Sequence, residues 1–302
     1  MRKRIIILFS VVLFIFFGTE LFLRQYYGFC DTVLIREDAS YEYIAKPNQK
    51  IFRFGSNILY NSFSMRSAEI DTGSIKILGF GDSVINGGVL TDHDSLATTI
   101  LSAKLSKLNN HNTQFLNISA GSWGPDNCFA YLKKNGDFHA KHLFLFVSSH
   151  DAYDNMNFEK IVGIHKSFPE NNAKLAIYEL WDRYLLPQIK SKFNNSTKSI
   201  DELGINKKIA NSSFNTGFES FANYSRASNI PLTIYLHAEQ VELAAGKYNE
   251  QGQEIIQFAK NNNLLIIKDL ENGLQATDFR DNIHINEKGQ RKLAALVLKY
   301  GI

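Results

Sequence analysis

The sequence predicts an α/β domain of three layers, a parallel five-stranded sheet covered by helices on both faces, preceded by one N-terminal transmembrane helix. Three observations lead there. An apolar stretch opens the chain, five short β-rich runs alternate with segments of helical periodicity, and the remaining length is ample for one large core.

Arg2, Lys3 and Arg4 precede a nearly unbroken apolar run from Ile5 to Phe17, which continues through Gly18-Thr-Glu20 to Leu21, Phe22 and Leu23. At about 1.5 Å per residue, Ile5 to Leu23 reaches roughly 28 Å, close to the hydrocarbon thickness of a bilayer. Glu20 would be costly at the midplane but stands near the far end, within reach of headgroups and water. A cleaved signal peptide is the competing reading, yet no small-x-small cleavage site follows. The expectation is therefore an uncleaved anchor over residues 1–24, meeting the lipid bilayer through residues 5–23. The basic flank keeps the N-terminus inside, so a single pass through the cytoplasmic membrane leaves the rest of the chain extracytoplasmic.

Composition fits one exported domain. There are 33 Lys and Arg against 30 Asp and Glu, and once Arg2, Lys3, Arg4, Arg24 and Glu20 are set aside the two signs balance. The basic excess belongs to the membrane flanks, which argues against a nucleic-acid partner. Cys30 and Cys128 have no spacing that suggests a disulfide or a metal site, and Tyr27-Gly-Phe29 lacks the small residues that precede a lipidated cysteine.

Residues 25–70 read as an extended lead-in, with Lys46-Pro-Asn48 and Tyr60-Asn-Ser-Phe-Ser-Met-Arg66 ahead of the first strand. The main domain, 71–302, carries the β-rich runs 75–80, 114–119, 142–148, 232–236 and 264–267. Leu96, Ile100, Leu101, Leu105 and Leu108 mark a helix after the first run, and Leu293, Ala294, Val297 and Leu298 mark a closing amphipathic helix. The stretch 157–229 is too long for a simple connection and reads as a helical insertion. Within it, Leu175, Tyr178, Leu180, Trp181, Tyr184 and Leu185 give a helix a broad aromatic face, expected to be core, and a polar Asn/Ser/Lys segment follows. Sheets of this kind hold their sites at the carboxyl ends of the strands. Ser83, Gly121, Ser149, His237 and the segment with Asp281 and His284 all fall beyond predicted strand ends or on a loop able to reach them.

The pattern that carries chemistry is a serine after the first strand, Ile75-Lys-Ile-Leu-Gly-Phe-Gly-Asp-Ser83, answered near the C-terminus by Asp281-Asn-Ile-His284. A serine hydroxyl becomes a competent nucleophile when a histidine takes its proton and a carboxylate orients that histidine. The bland alternative is that Ser83 and Asp281 only cap helices. No cofactor is implied and no metal is expected, since His139 and His142 stand apart from other ligands. His237 and Glu239, ending the fourth strand, could line the pocket or be structural.

These two blocks, with Gly87-Gly88 after the first and Gly289 after the last, resemble the SGNH or GDSL-type hydrolases, whose fold is flavodoxin-like. The likeness runs from about Ile75 to the C-terminus and leaves the insertion unmatched; the lead-in resembles membrane-anchored bacterial members. It implies Ser83 as nucleophile at a strand-to-helix turn, His284 as general base and then acid, and Asp281 as the residue fixing its tautomer, while Asp82 holds the turn. It also implies an oxyanion hole from the Ser83 N–H, a second-block glycine and a third-block side chain. The glycine is Gly121 or Gly124, with Gly121 preferred. The third block departs from the usual Gly-x-Asn-Asp, since Ser148-Ser-His150-Asp151 places His150 where an asparagine amide is expected. A histidine ring N–H could still donate there, depending on tautomer and pH. The implied activity is removal of O-acyl, in particular O-acetyl, groups from an extracytoplasmic glycan through an acyl-serine. The same intermediate could instead transfer its acyl group to a sugar hydroxyl. The altered third block also leaves open a non-catalytic glycan-binding scaffold.

Overall fold

The computed structural model describes residues 2–193 and 213–300, and the polar segment after the aromatic helix lies outside the described residues. One helix, α1 (Arg2–Tyr27), is long and apolar enough to cross a membrane. Five strands form a single parallel sheet: β5 (Ile75–Gly81), β6 (Thr113–Ser119), β7 (His142–Ser148), β8 (Leu232–His237) and β9 (Leu265–Lys268), in the order β6-β5-β7-β8-β9. All five coincide with the β-rich runs of the sequence, which are most nearly continuous in the central strands β5, β7 and β8, where a parallel strand is buried on both faces.

Alternation along the strands sorts the two layers of helices. Phe80 points to one face and meets Phe221 of α7 (Thr216–Ser228), while α4 (Pro125–Asn135) joins through Phe129. Phe115, Phe144, Phe146 and Tyr235 form an aromatic row on the other face. Gly79 lies under that row, where an added Cβ would stand 2.6 Å from Phe115 Cε1. The same face is covered by α3 (Ala97–Asn109) and the last helix, α8 (Glu287–Tyr300), tied together by Ala97 N donating to Gln290 Oε1 at 2.9 Å. From β5 the chain runs to β6 on one side and then returns to β7 on the other. This reversal opens a crevice at the carboxyl ends of β5 and its neighbours.

The lead-in differs from its expected extended form. It makes two antiparallel hairpins, β1 (Ile35–Asp38) with β2 (Glu42–Ala45), and β3 (Gln49–Arg53) with β4 (Ser56–Tyr60). Nor does it stand outside the core: Tyr41, Tyr43, Ile44 and Met65 are buried in the main hydrophobic cluster. Tight turns at Asn48 and Phe54, both at positive φ, allow the chain to reverse, a feature strand patterning does not reveal.

The aromatic helix is also corrected. It comprises α5 (Ala176–Glu179), a π-helical segment (Leu180–Leu185) and α6 (Leu186–Phe193). Ala176, Ile177, Leu180 and Tyr184 pack on Leu23, Phe29 and Phe54, but Leu175, Tyr178, Trp181 and Leu185 face outward and are exposed. Periodicity identifies an apolar face without saying what covers it, and here the protein covers the opposite side.

A buried ion pair fixes this helix to the lead-in. Arg53 Nη2 lies 2.5 Å from Glu179 Oε1, both side chains 1% exposed, and Glu179 Oε2 accepts the Cys30 N–H at 2.7 Å. Removing one member of such a pair strands a charge in a dry site. Glu179→Ala should therefore cost about 3–5 kcal/mol in urea unfolding, while the apolar double replacement Arg53→Met/Glu179→Leu should recover most of it. A single variant as stable as the parent would show that the pair carries no such constraint.

Candidate active site

Ser83 is the first residue of α2 (Ser83–Asn86), directly after β5. Asp82 caps this short helix, its Oδ1 accepting the Val84 N–H at 2.8 Å, and Gly87 closes it at φ +73°. A four-residue helix cannot sustain itself. Its carbonyls are held from elsewhere: Val84 O by Gln290 Nε2 at 2.9 Å, Ile85 O by Asn117 Nδ2 at 2.8 Å, and Gly87 O by Arg280 Nη1 at 3.0 Å. Asn86 reaches back to Ser119 O at 3.1 Å and accepts from Tyr60 Oη at 3.2 Å. Of these supports, only the motif residues themselves were singled out from sequence; Asn117, Arg280 and Gln290 carry no local signal of their task.

The structure brings Ser83, His284 and Asp281 together. Ser83 Oγ and His284 Nε2 are 2.8 Å apart, and His284 Nδ1 lies 2.8 and 3.0 Å from the two oxygens of Asp281. A carboxylate at Nδ1 keeps the proton there and leaves the Nε2 lone pair for the serine O–H. Asp281 Oδ1 also accepts the backbone N–H groups of Ile283 and His284, at 3.0 and 2.7 Å. Partial burial raises its pKa, but these bonds and the facing His284 ring prevail and hold the carboxyl below its ordinary range. The loop is fastened by Arg280 N donating to His284 O at 2.9 Å and Gln240 N donating to Asn282 O at 2.9 Å.

His237 is structural. Fully enclosed, it uses Nδ1 toward Asp269 Oδ2 at 2.6 Å and Nε2 toward Ile283 O at 2.8 Å, the residue before His284. Burial opposes its charge, yet acceptors at both ring nitrogens raise its pKa. Ser149, also beyond a strand end, is buried and donates to Glu242 Oε1 at 2.5 Å, away from the triad.

The two candidate glycines differ. The Gly124 N–H caps α4 and already donates to Asn127 Oδ1 at 2.9 Å, whereas the Gly121 N–H donates to nothing among the described residues. The Gly121 turn is set by the lead-in, where Tyr43 Oη donates to Gly121 O at 2.8 Å and Tyr43 O accepts Trp123 Nε1 at 2.9 Å. The Ser83 N–H is likewise unengaged among the described residues.

His150 follows β7 and sits in a cage of carboxylates, its side chain 17% exposed. Nδ1 lies 3.0 Å from Glu239 Oε1, and Nε2 has Asp151 Oδ1 at 3.7 Å, beyond hydrogen-bond distance. Burial works against the imidazolium, but Asp151, Glu239 and Asp82 outweigh it and lift the pKa to about 10. Burial pushes Asp82 and Asp151 upward, whereas at Glu239 burial is outweighed by the His150 hydrogen bond, which holds its carboxyl below the ordinary range. The direct hydrogen bond to Glu239 and the surrounding carboxylates favour the imidazolium form of His150. Metal ligands of Asp82, His150 and Asp151 come within 4.8 Å of one another, a grouping that could accept a cation. The imidazolium supplies positive charge at that place.

No family model and no curated protein matches this chain. Among solved structures it is similar to the acetyl xylan esterase AlAXEase, at 15% identity over 76% of this chain and 100% of that one, with a TM-score of 0.41. It is also similar to the lipase/acylhydrolase from Enterococcus faecalis, at 11% identity over 74% and 94% with a TM-score of 0.44. A third is AlinE4, an SGNH-hydrolase family esterase, at 14% identity over 77% and 96% with a TM-score of 0.38.

The raised pKa values of His150 and His237 fix a sign for pH dependence. A folded-state pKa above the ordinary 6.5 gives stability that is complete below 6.5 and is lost as pH climbs through the folded value. The urea midpoint should accordingly fall between pH 6.5 and about 10, and fall less in His150→Gln. Equal slopes in the two proteins would remove His150 from the account.

Proposed function

We propose that this chain is a serine esterase of the SGNH type that removes O-acyl groups, in particular O-acetyl, from an extracytoplasmic glycan while anchored in the cytoplasmic membrane by α1. The observation that carries the reading is the continuous chain from Ser83 Oγ through His284 to Asp281, with spacings of 2.8 Å at both links.

In this mechanism Ser83 Oγ attacks the ester carbonyl carbon as its proton passes to His284 Nε2. The carbonyl oxygen becomes an oxyanion facing the Ser83 and Gly121 N–H groups and the Nε2–H of His150. The tetrahedral centre collapses, the bond to the alkoxide oxygen breaks, and His284 returns the proton to the departing alcohol. Water then repeats the sequence on the acyl-serine and releases the carboxylic acid.

Ser83→Ala should lower hydrolysis of an activated acetyl ester by on the order of 10⁴–10⁶ and abolish labelling by a serine-directed fluorophosphonate. Unchanged labelling, together with measurable glycan binding, would instead favour a binding scaffold. Adding oligosaccharide acceptors distinguishes hydrolysis from transfer, because acetylated sugar as the main product would reject simple hydrolysis.

The His150 assignment has its own outcome. His150→Leu should cost ~10²–10³ in kcat with KM little altered, and His150→Asn, which keeps a side-chain donor, should recover much of it. A fully active leucine variant would take His150 out of the oxyanion hole.

A further inference from the structure

The aromatic helix is apolar on two opposite sides, and the described residues cover only one. Leu175, Tyr178, Trp181, Leu185 and Ile189, at intervals of three or four residues, lie along the uncovered side, with Trp181 49% and Tyr178 60% exposed. Such a stripe is unusual on a surface that meets only water.

Its beginning is tied to α1. Glu20 accepts the first free backbone N–H groups of α5, those of Ala176 at 2.8 Å and Ile177 at 3.0 Å, and Arg24 Nη2 donates to Lys174 O at 2.6 Å. From Arg4 to Glu20 α1 rises ~24 Å, so these bonds place the start of α5 near the outer boundary of a ~30 Å hydrocarbon layer. Trp and Tyr are the side chains that favour this boundary, each offering an apolar ring and a polar edge. Phe22 and Tyr26 on α1 are likewise exposed, while Lys174 and Lys190 stand exposed toward the two ends of the stripe, suited to lipid phosphates.

We infer that the outward face of the helix from Leu175 to Ile189 lies in the outer membrane–water interface, so that the domain is held against the bilayer by an interfacial helix as well as by α1. The inference rests on the reading of α1 as a membrane anchor. The occupant is lipid because the stripe begins where α5 is hydrogen-bonded to the end of α1 itself. The interfacial contact would fix the tilt of the domain and hence the height at which Ser83 works above the membrane.

The chain has two tryptophans, and Trp123 is buried, so the difference between wild type and Trp181→Phe isolates the Trp181 emission. The full chain is reconstituted in phosphatidylcholine–phosphatidylglycerol vesicles carrying a nitroxide either near the glycerol or near the acyl-chain end. Phe14→Trp in the Trp181→Phe background reports on α1. The expected result is that Trp181 loses most of its emission to the shallow nitroxide and little to the deep one, whereas Trp at position 14 responds to the deep nitroxide. Quenching at position 14 with a water-exposed, unquenched Trp181 would overturn the inference and leave the anchor standing. A blue-shifted Trp181 that neither nitroxide quenches would mean protein covers the stripe, and also overturns it. Absence of quenching at both positions would overturn the anchor and the inference together.

Discussion

A helix of four residues holds the candidate nucleophile, and four residues cannot hold a helix. The first intrahelical hydrogen bond fixes several dihedrals for little return, so α2 exists because its surroundings impose it. Gln290 from the last helix, Asn117 from the neighbouring strand and Arg280 from the histidine-bearing loop each take one of its carbonyls. Arg280 directly precedes Asp281, so the loop that carries Asp281 and His284 is fastened to the turn that carries Ser83. The spacing between Ser83 Oγ and His284 Nε2 is thus a property of the closed structure rather than of either segment.

Charge placement at the strand ends follows the same logic. Asp82, Asp151, Glu239 and Asp269 converge where the sheet opens, and buried carboxylates need compensation. Two histidines provide it in different ways. His237 has an acceptor at each ring nitrogen and holds Ile283 beside the active loop. His150 has one engaged nitrogen and one without an acceptor in reach, so it pairs with Glu239 while keeping a donor to offer. An asparagine in that position would donate without bringing charge. The histidine brings both, which explains why three acidic groups can gather around it.

Much of the sheet was legible because parallel strands buried on both faces are written as apolar runs, and the end blocks were legible because each places its reactive residues within a few positions of one another. The cage around His150 was not, since Glu239 lies on a different strand end and nothing local marks their pairing. The preference for Gly121 over Gly124 rested on likeness alone; the structure adds a physical distinction, because the Gly124 N–H is spent on capping α4. The hairpins of the lead-in escaped notice because strands of four or five residues carry too few alternations to register. The broad aromatic face of the helix is only half core: Leu180 and Tyr184 pack on the protein while Leu175, Tyr178, Trp181 and Leu185 are exposed, for periodicity reports a face and not its neighbour.

These corrected regions are mechanically connected. Glu20 on α1 holds the start of α5, Glu179 near its first turn holds Arg53 on β3, and that hairpin supports the lead-in whose Tyr43 clamps the turn at Gly121. A path of hydrogen bonds and packed strands therefore leads from the apolar N-terminal helix to one wall of the candidate oxyanion hole. A lead-in acting as a slack tether would leave that wall to form by itself. Because Tyr43 instead reaches Gly121 from a hairpin buried in the main core, the segment between α1 and the sheet belongs to the framework of the candidate site, and cutting the chain after α1 would preserve that site only if residues from Ile35 onward are retained.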